Sequence, residues 1–359
     1  MPFTNIMSQQ HLNVLAFTKL GNFLHEVCAH MSQDTESTPS NNPFILKFEE
    51  VIERAKHYNG WFTREQVLFS CKQWATALSK ENLENWLAAY DLSKNTRKKV
   101  AIIMAGNIPM VGFHDLLSVL ITGNDAIIKL SSNDAFLIPT LMEYLISIDA
   151  TFNERISFTK EKLTDFDAII ATGSNNTARY FEYYFKNKPN IIRKNRNSVA
   201  ILEGTESSKQ LAALGEDVFR YFGLGCRSVS KIFVPKDYNF DTLFKTLFSY
   251  KYLLENAKYA NNYDYNKAVY LMSEFKILDN GFLILKEDTS YSSPIASLFY
   301  ETYTSKEDLF KHLASEEHKI QCLVANEPNK NTIGFGATQQ PTLMDYADGV
   351  DTIAFLLEA

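Results

Sequence analysis

The chemistry in this chain is most legible around one thiol. In GLGCRS (223–228), Gly223 and Gly225 leave room beside Cys226 for a substrate, and Arg227 brings a positive charge that favours the thiolate. The competing reading is the usual fate of a cysteine, burial as a small apolar side chain. GNIPMVGFHD (106–115) sets Asn107 at a proline turn, either as a local turn former or as an amide aimed at the oxygen of a reacting carbonyl. His114 follows close behind as a candidate proton donor, although its place on the next helix argues against that role. KNKPNIIRKNR (186–196) gathers Lys186, Lys188, Arg193, Lys194 and Arg196 without an acid, which reads as a solvated face or as a dock for phosphates. HEVCAH (25–30) is a near miss for a zinc motif. Its histidines are five residues apart, which turns them about 140° from each other on a helix, so no metal site is expected. GLGCRS also fails as a dinucleotide fingerprint, because a third glycine is absent and the segment follows a helix. The chain contains neither a P-loop nor a G-x-S-x-G elbow.

The elements that must carry these residues follow from periodicity. Residues 8–31, 44–58 and 81–91 read as helices, and Thr63 with Gln66 marks a further helix start. A polar connector is expected over 32–43. From residue 98 the pattern alternates. Strands are expected at 98–105, 125–131, 166–173 and 198–204, with helices at 110–122, 134–148 and from Ser174 to about 186. That repetition argues for a parallel α/β sheet covered on both faces, with ligands beyond the strand ends at Ala105–Gly106, Leu130–Ser132 and Thr172–Ser174. A helix over 207–221, a strand over 228–235, helical sequence over 240–275 and strands at 281–285, 296–301 and 319–324 suggest a second α/β unit. Glycine is scarce, 14 in 359 residues, yet Gly106, Gly112, Gly123, Gly173, Gly204, Gly215, Gly223 and Gly225 fall in the stretch that holds these candidates.

Composition narrows the class. The net charge of −6 gives no basic footprint, so nucleic acid is not an expected partner. Four scattered cysteines, Cys28, Cys71, Cys226 and Cys322, have no metal-ligand spacing and point to a reducing, cytoplasmic setting. No apolar run is long enough to span a membrane, and the first residues do not read as a signal peptide.

Five segments in order resemble one family. They are AGNIPMVGFHDLLSVLITGNDAIIKLSSND (105–134), ATGSNNTARYF (171–181), RKNRNSVAILEG (193–204), YFGLGCRSVSKIFVP (221–235) and FGATQQPTLMDYADGVDTIAFL (335–356). Together they are similar to the acyl-CoA reductase family of the bacterial bioluminescence operon (LuxC), within the aldehyde dehydrogenase superfamily. The resemblance covers roughly 98–359 and implies an α/β, aldehyde dehydrogenase-like fold. On that basis 1–95 is a helical N-terminal region, 96–203 a Rossmann-like NADP(H)-binding domain, 204–334 an α/β catalytic domain and 335–359 a tail packing back on the core. The resemblance makes Cys226 the nucleophile and Asn107 an oxyanion donor, joined by the Cys226 backbone N–H. It matches Lys129, with Ser131 and Ser132 beside it, to the adenosine ribose site, and Gly173 and Ser174 to the pyrophosphate at a helix N-terminus.

Departures from ordinary aldehyde dehydrogenases refine this expectation. Ile192 falls where the resemblance places the glutamate that activates a hydrolytic water, so an acyl-enzyme would persist for another acceptor. Ser132 replaces the glutamate that binds ribose hydroxyls in NAD users, which removes repulsion against a 2′-phosphate and favours NADPH, with NADH as the other possibility. The acid that often precedes a Gly-Pro near the nicotinamide ribose is not evident at Ser293-Pro294. The expected reaction is NADPH-dependent reduction of a fatty acyl thioester, from coenzyme A or another donor, to fatty aldehyde through an acyl-cysteine. The rivals are an aldehyde dehydrogenase, an acyl-holding subunit that serves a partner protein, and a cysteine hydrolase. The superfamily habit implies a homo-oligomer.

Overall fold

The computed structural model describes residues 9–32, 41–327 and 332–359, so the polar connector expected over 32–43 lies largely outside the described residues. In chain order the elements begin with α1 (Gln9–Met31), α2 (Pro43–Tyr58), α3 (Arg64–Ala77) and α4 (Lys80–Leu87). Next come β1 (Lys99–Ile103), α5 (Phe113–Ile121), β2 (Asp125–Lys129), α6 (Leu137–Ile148), β3 (Ile156–Phe158), β4 (Ala168–Thr172), α7 (Asn175–Phe185) and β5 (Asn190–Arg193). The remainder is β6 (Asn197–Ile201), α8 (Ser208–Phe219), β7 (Val229–Pro235), α9 (Asp241–Leu247), α10 (Ala257–Met272), β8 (Ile277–Asp279), β9 (Ile284–Glu287), β10 (Ser297–Tyr303), α11 (Lys306–Ser315), β11 (Ile320–Val324) and α12 (Thr352–Glu358). Two compact units result, Met1–Lys194 together with Thr342–Ala359, and Asn195–Pro341.

The first unit is built on a five-stranded, wholly parallel sheet in the order β3-β2-β1-β4-β5. Side chains alternate across it. Val100, Ile102, Ala126, Ile128, Ile170 and Ile191 point to one face and share a core with the N-terminal helices. Ala101, Ile103, Ile127, Ile169 and Ala171 point to the other, under Phe166, Phe181 and Phe185. Both faces are therefore covered, as a parallel sheet requires. The N-terminal helices are an integral layer of this unit. Phe17, Leu20, Leu24 and Val27 of α1 are fully buried, and Asn13 Nδ2 donates to the carbonyls of Leu120 (3.3 Å) and Ile121 (3.1 Å) at the end of α5. Two helix starts form as their sequences require. Thr63 Oγ1 accepts the Gln66 N–H, and Ser174 Oγ accepts the Thr177 N–H.

The second unit holds a six-stranded sheet in the order β11-β6-β7-β10-β9-β8, parallel except for the β8–β9 pair. Here the structure differs from the sequence expectation. The strand near 198–204 pairs with β7 and β11 in this sheet, and the first sheet is completed instead by β5, inside the basic segment 186–196. Arg193 at the end of β5 is only 4% exposed. It forms a bidentate ion pair with Asp115, Nη2 to Oδ1 at 2.6 Å and Nε to Oδ2 at 3.2 Å, and donates to the Ala347 carbonyl and to Thr352 Oγ1. Lys194 pairs with Glu182 at 2.5 Å, and Arg196 donates to the Ile320 carbonyl. The two arginines of the segment are thus spent on tertiary structure, while Lys186 and Lys188 are exposed.

Removing one partner of a buried, hydrogen-bonded ion pair strands the other charge, at a cost of about 3–5 kcal/mol. Arg193→Ala is expected to lower unfolding free energy by about that amount in urea titrations. Lys194→Ala, at a half-exposed pair, is expected to change it by less than about 1 kcal/mol.

Candidate active site

In the second unit, α8 ends and the chain turns sharply before β7. Tyr221 (φ 54°) and Phe222 (φ 59°) both adopt the left-handed conformation, followed by Gly223 (φ 78°) and Gly225 (φ 99°). Such a conformation costs on the order of 1–3 kcal/mol for a non-glycine residue, and clusters of it mark sites where geometry is held for a purpose. Cys226 follows at once, partly buried and outside any disulfide. The turn is pinned on all sides. Ser198 Oγ donates to the Cys226 carbonyl (2.9 Å), Ser228 Oγ donates to the Leu224 carbonyl (2.8 Å), and the Ser228 N–H reaches the Gly225 carbonyl (3.2 Å). Arg227 Nε donates to the Thr338 carbonyl (2.5 Å), and Gln339 Nε2 to Ser228 Oγ (3.2 Å). Segment 336–339 is itself fixed by the buried Asp217, which accepts the N–H groups of Gly336 (2.6 Å) and Thr338 (2.9 Å) and the Thr338 hydroxyl (2.8 Å). Burial raises the Asp217 carboxyl, and these hydrogen bonds oppose the rise.

In the first unit the strand order reverses between β1 and β4, which is where open α/β sheets bind ligands. The expected residues gather at these strand ends. Asn107 is exposed in the loop after β1. Lys129 closes β2 and its Nζ donates to the Glu161 carbonyl (3.2 Å). Ser131 Oγ accepts the Asn133 N–H, and Ser132 is exposed beside it. Gly173 follows β4, and a Cβ there would lie 3.0 Å from Thr177 and 3.1 Å from Phe181, so the backbone hugs the first turn of α7. Ser174 caps that helix. A helix N-terminus after a glycine is an anion-binding arrangement. Among the described residues no group of histidine, cysteine and carboxylate side chains could hold a metal.

His114 is placed differently from its candidate role. It stands on α5 with its Nε2 at the Leu343 carbonyl (3.0 Å) and is ringed by Trp74, Trp86 and Tyr346. Burial lowers its pKa. It packs among these rings of the first unit and spends its Nε2 on a backbone carbonyl.

Three side chains that the sequence did not mark as functional hold the Asn107 loop. Asn59 Nδ2 donates to the Gly106 carbonyl (3.5 Å), Ser70 Oγ donates to the Pro109 carbonyl (3.1 Å), and Asp134 Oδ2 accepts the Met110 N–H (2.7 Å). The signal available in sequence was slight. Asn59 and Ser70 lie in the helical region that carries no motif, and Asp134 closes KLSSND as an apparent helix start.

A doubly wound parallel sheet, and a second, mostly parallel sheet that presents a thiol on a strained turn, together make up an aldehyde dehydrogenase-like fold. Solved structures agree on the fold. An indole-3-acetaldehyde dehydrogenase complexed with NAD+ superposes with a TM-score of 0.64 over 89% of this chain and 72% of its own, at 12% identity. Aldehyde dehydrogenase 21 from Physcomitrella patens, solved with the product succinate, gives 0.63 over 96% and 84%, also at 12% identity. Within that fold the chain belongs to the LuxC acyl-CoA reductase family, whose sequence profile matches residues 40–260. Long-chain acyl-protein thioester reductase 2 of Photobacterium leiognathi is 25% identical over 194 residues, 49% of this chain and 40% of that protein. The long-chain acyl-protein thioester reductase of Aliivibrio fischeri is 25% identical over 227 residues, 57% of this chain and 47% of that protein. The chain thus spans less than half the length of these curated relatives. No helix among the described residues is long and apolar enough to cross a membrane.

The Asp134 carboxyl is pushed up to about 6 by burial, opposed chiefly by the hydrogen bond from the Met110 amide. A raised carboxyl pKa means that the folded chain holds the proton more tightly than the unfolded one. Its contribution is therefore full below the unfolded value near pH 4 and is lost as pH rises through about 6. Urea titrations from pH 4 to 7 should show wild type losing stability, relative to Asp134→Asn, on the order of 2–3 kcal/mol across that window.

Proposed function

We propose that this chain reduces a long-chain fatty acyl thioester to the aldehyde, with NADPH, through an acyl group carried on Cys226. The observation that carries the proposal is the turn over 221–225, whose left-handed residues Tyr221, Phe222, Gly223 and Gly225 lead directly into a partly buried cysteine between a helix and a buried strand. A packing cysteine needs no such turn. Family membership and the names of the two relatives, both long-chain acyl-protein thioester reductases, support the substrate class.

In the proposed reaction, Cys226 Sγ attacks the thioester carbonyl. The tetrahedral oxyanion is held by the Asn107 amide and the Cys226 backbone N–H. Collapse breaks the bond to the donor sulfur, which leaves as a thiolate and takes up a proton. The acyl group now sits on Cys226 as a new thioester. Ile192 occupies the position aligned with a hydrolytic base, so water is a poor second acceptor. A bound nicotinamide cofactor supplies the hydride that this chain's side chains lack. Cys226 departs as thiolate when the aldehyde carbonyl forms.

The first unit fits such a cofactor. Gly173 lets the chain pass close against Thr177 and Phe181 as it enters α7, and the N-terminus of that helix, capped by Ser174, is suited to a pyrophosphate. Lys129 Nζ donates to the Glu161 backbone carbonyl, and Ser132 adds no negative charge beside it. Both features favour a ribose 2′-phosphate, hence NADPH over NADH. By this reading the first unit binds cofactor and the second carries the acyl group.

Intact mass after incubation with tetradecanoyl-CoA tests the proposal. Wild type should gain one acyl group and lose it as aldehyde on adding NADPH, while Cys226→Ala gains none. An adduct that NADPH leaves untouched would instead favour an acyl-holding subunit. Lys129→Ala should raise the KM for NADPH about tenfold, the loss of one charged contact, and leave that for NADH nearly unchanged.

A further inference from the structure

Asn107 is exposed on an irregular loop, so its own side chain has little to keep it aimed. Its backbone is constrained instead. Met110, three residues on, is fully buried with φ 57°, a conformation that a methionine does not hold unaided. Its N–H lies 2.7 Å from Asp134 Oδ2. Asp134 is 5% exposed, and its second oxygen, Oδ1, is buried with no hydrogen-bond partner. The same residue locks two loops together. Its N–H donates to the Ser131 carbonyl (3.2 Å), and a Cβ on Gly106 would come within 3.1 Å of its nitrogen and 2.7 Å of Ser131. From the opposite side, Ser70 Oγ on α3 holds the Pro109 carbonyl. The Pro109–Met110 peptide is thus gripped at both its carbonyl and its N–H, shortly after Asn107.

A buried carboxylate that uses one oxygen is a poor device for stability alone. Its geometric effect is specific: it sets the backbone that carries Asn107. We infer that Asp134, with Ser70, is a positioning residue for cysteine acylation, fixing the loop that aims the Asn107 amide. This rests on Asn107 being the oxyanion donor.

The test is the rate of Cys226 acylation by tetradecanoyl-CoA, read by intact mass in a rapid-quench series, with a thermal melt of each variant. Asn107→Ala should slow acylation about 10²-fold, the usual effect of losing one oxyanion donor. Asp134→Ala should slow it about tenfold by misplacing that donor, and Asp134→Asn, which keeps an acceptor for the Met110 N–H, by no more than about threefold. In the Asn107→Ala background both Asp134 substitutions should have less than about a twofold effect, since their target is gone. Should Asp134→Ala fail to fold, Ser70→Ala carries the same cycle. A loss that is equally large with and without Asn107, or equal for alanine and asparagine, overturns the inference while leaving the oxyanion reading intact. A wild-type rate in Asn107→Ala overturns that reading, and this inference with it.

Discussion

Buried backbone that is neither helix nor strand must find partners for its N–H and C=O groups, and both halves of the proposed site depend on how this chain meets that demand. After β1 the partners are Asn59, Ser70 and Asp134. Around Cys226 they are Ser198, Ser228 and Arg227, with Asp217 holding the segment that receives Arg227. Regular ladders could satisfy the same groups at lower cost, but they would not leave an amide and a thiol on turns. Side chains drawn from distant parts of the chain take over the pairing.

The cost is visible in the same places. Tyr221, Phe222 and Met110 are bulky residues held at positive φ, and Asp134 and Asp217 are carboxylates inside apolar surroundings. Each departs from what an unconstrained sequence would choose. Departures of this sort gather at functional sites and are offset elsewhere. Here the offset lies in the two parallel sheets and in the layer of N-terminal helices that shares a core with the first of them.

The N-terminal helices support the Asn107 loop for a physical reason. Read as sequence, they carry no motif. In the fold, α1 buries Phe17, Leu20 and Leu24, and α3 presents Ser70 to the Asn107 loop. A layer that looks like scaffold therefore reaches the backbone next to a proposed catalytic amide. The relatives share this chain's family but extend well beyond the aligned span.

By itself the sequence determined what short-range rules control. The apolar runs of β1, β2 and β4, the caps at Thr63 and Ser174, and the glycine turn at Cys226 are local patterns, and each formed where its residues placed it. The fold class and the family were legible for the same reason, since the motifs recur in order. Tertiary structure alone decided the rest. β5 was hidden in a basic segment because Arg193 is neutralised by Asp115, which lies 78 residues away. The strand after it joined a different sheet because β7 and β11 offered it partners. His114 went inward because Trp74, Trp86 and Tyr346 enclose it, and Asp134 acquired its contact because a loop 24 residues away turns an N–H toward it. Periodicity reports the next few residues along a chain; pairing of buried charge and buried backbone depends on whichever distant groups the fold brings within about 3 Å.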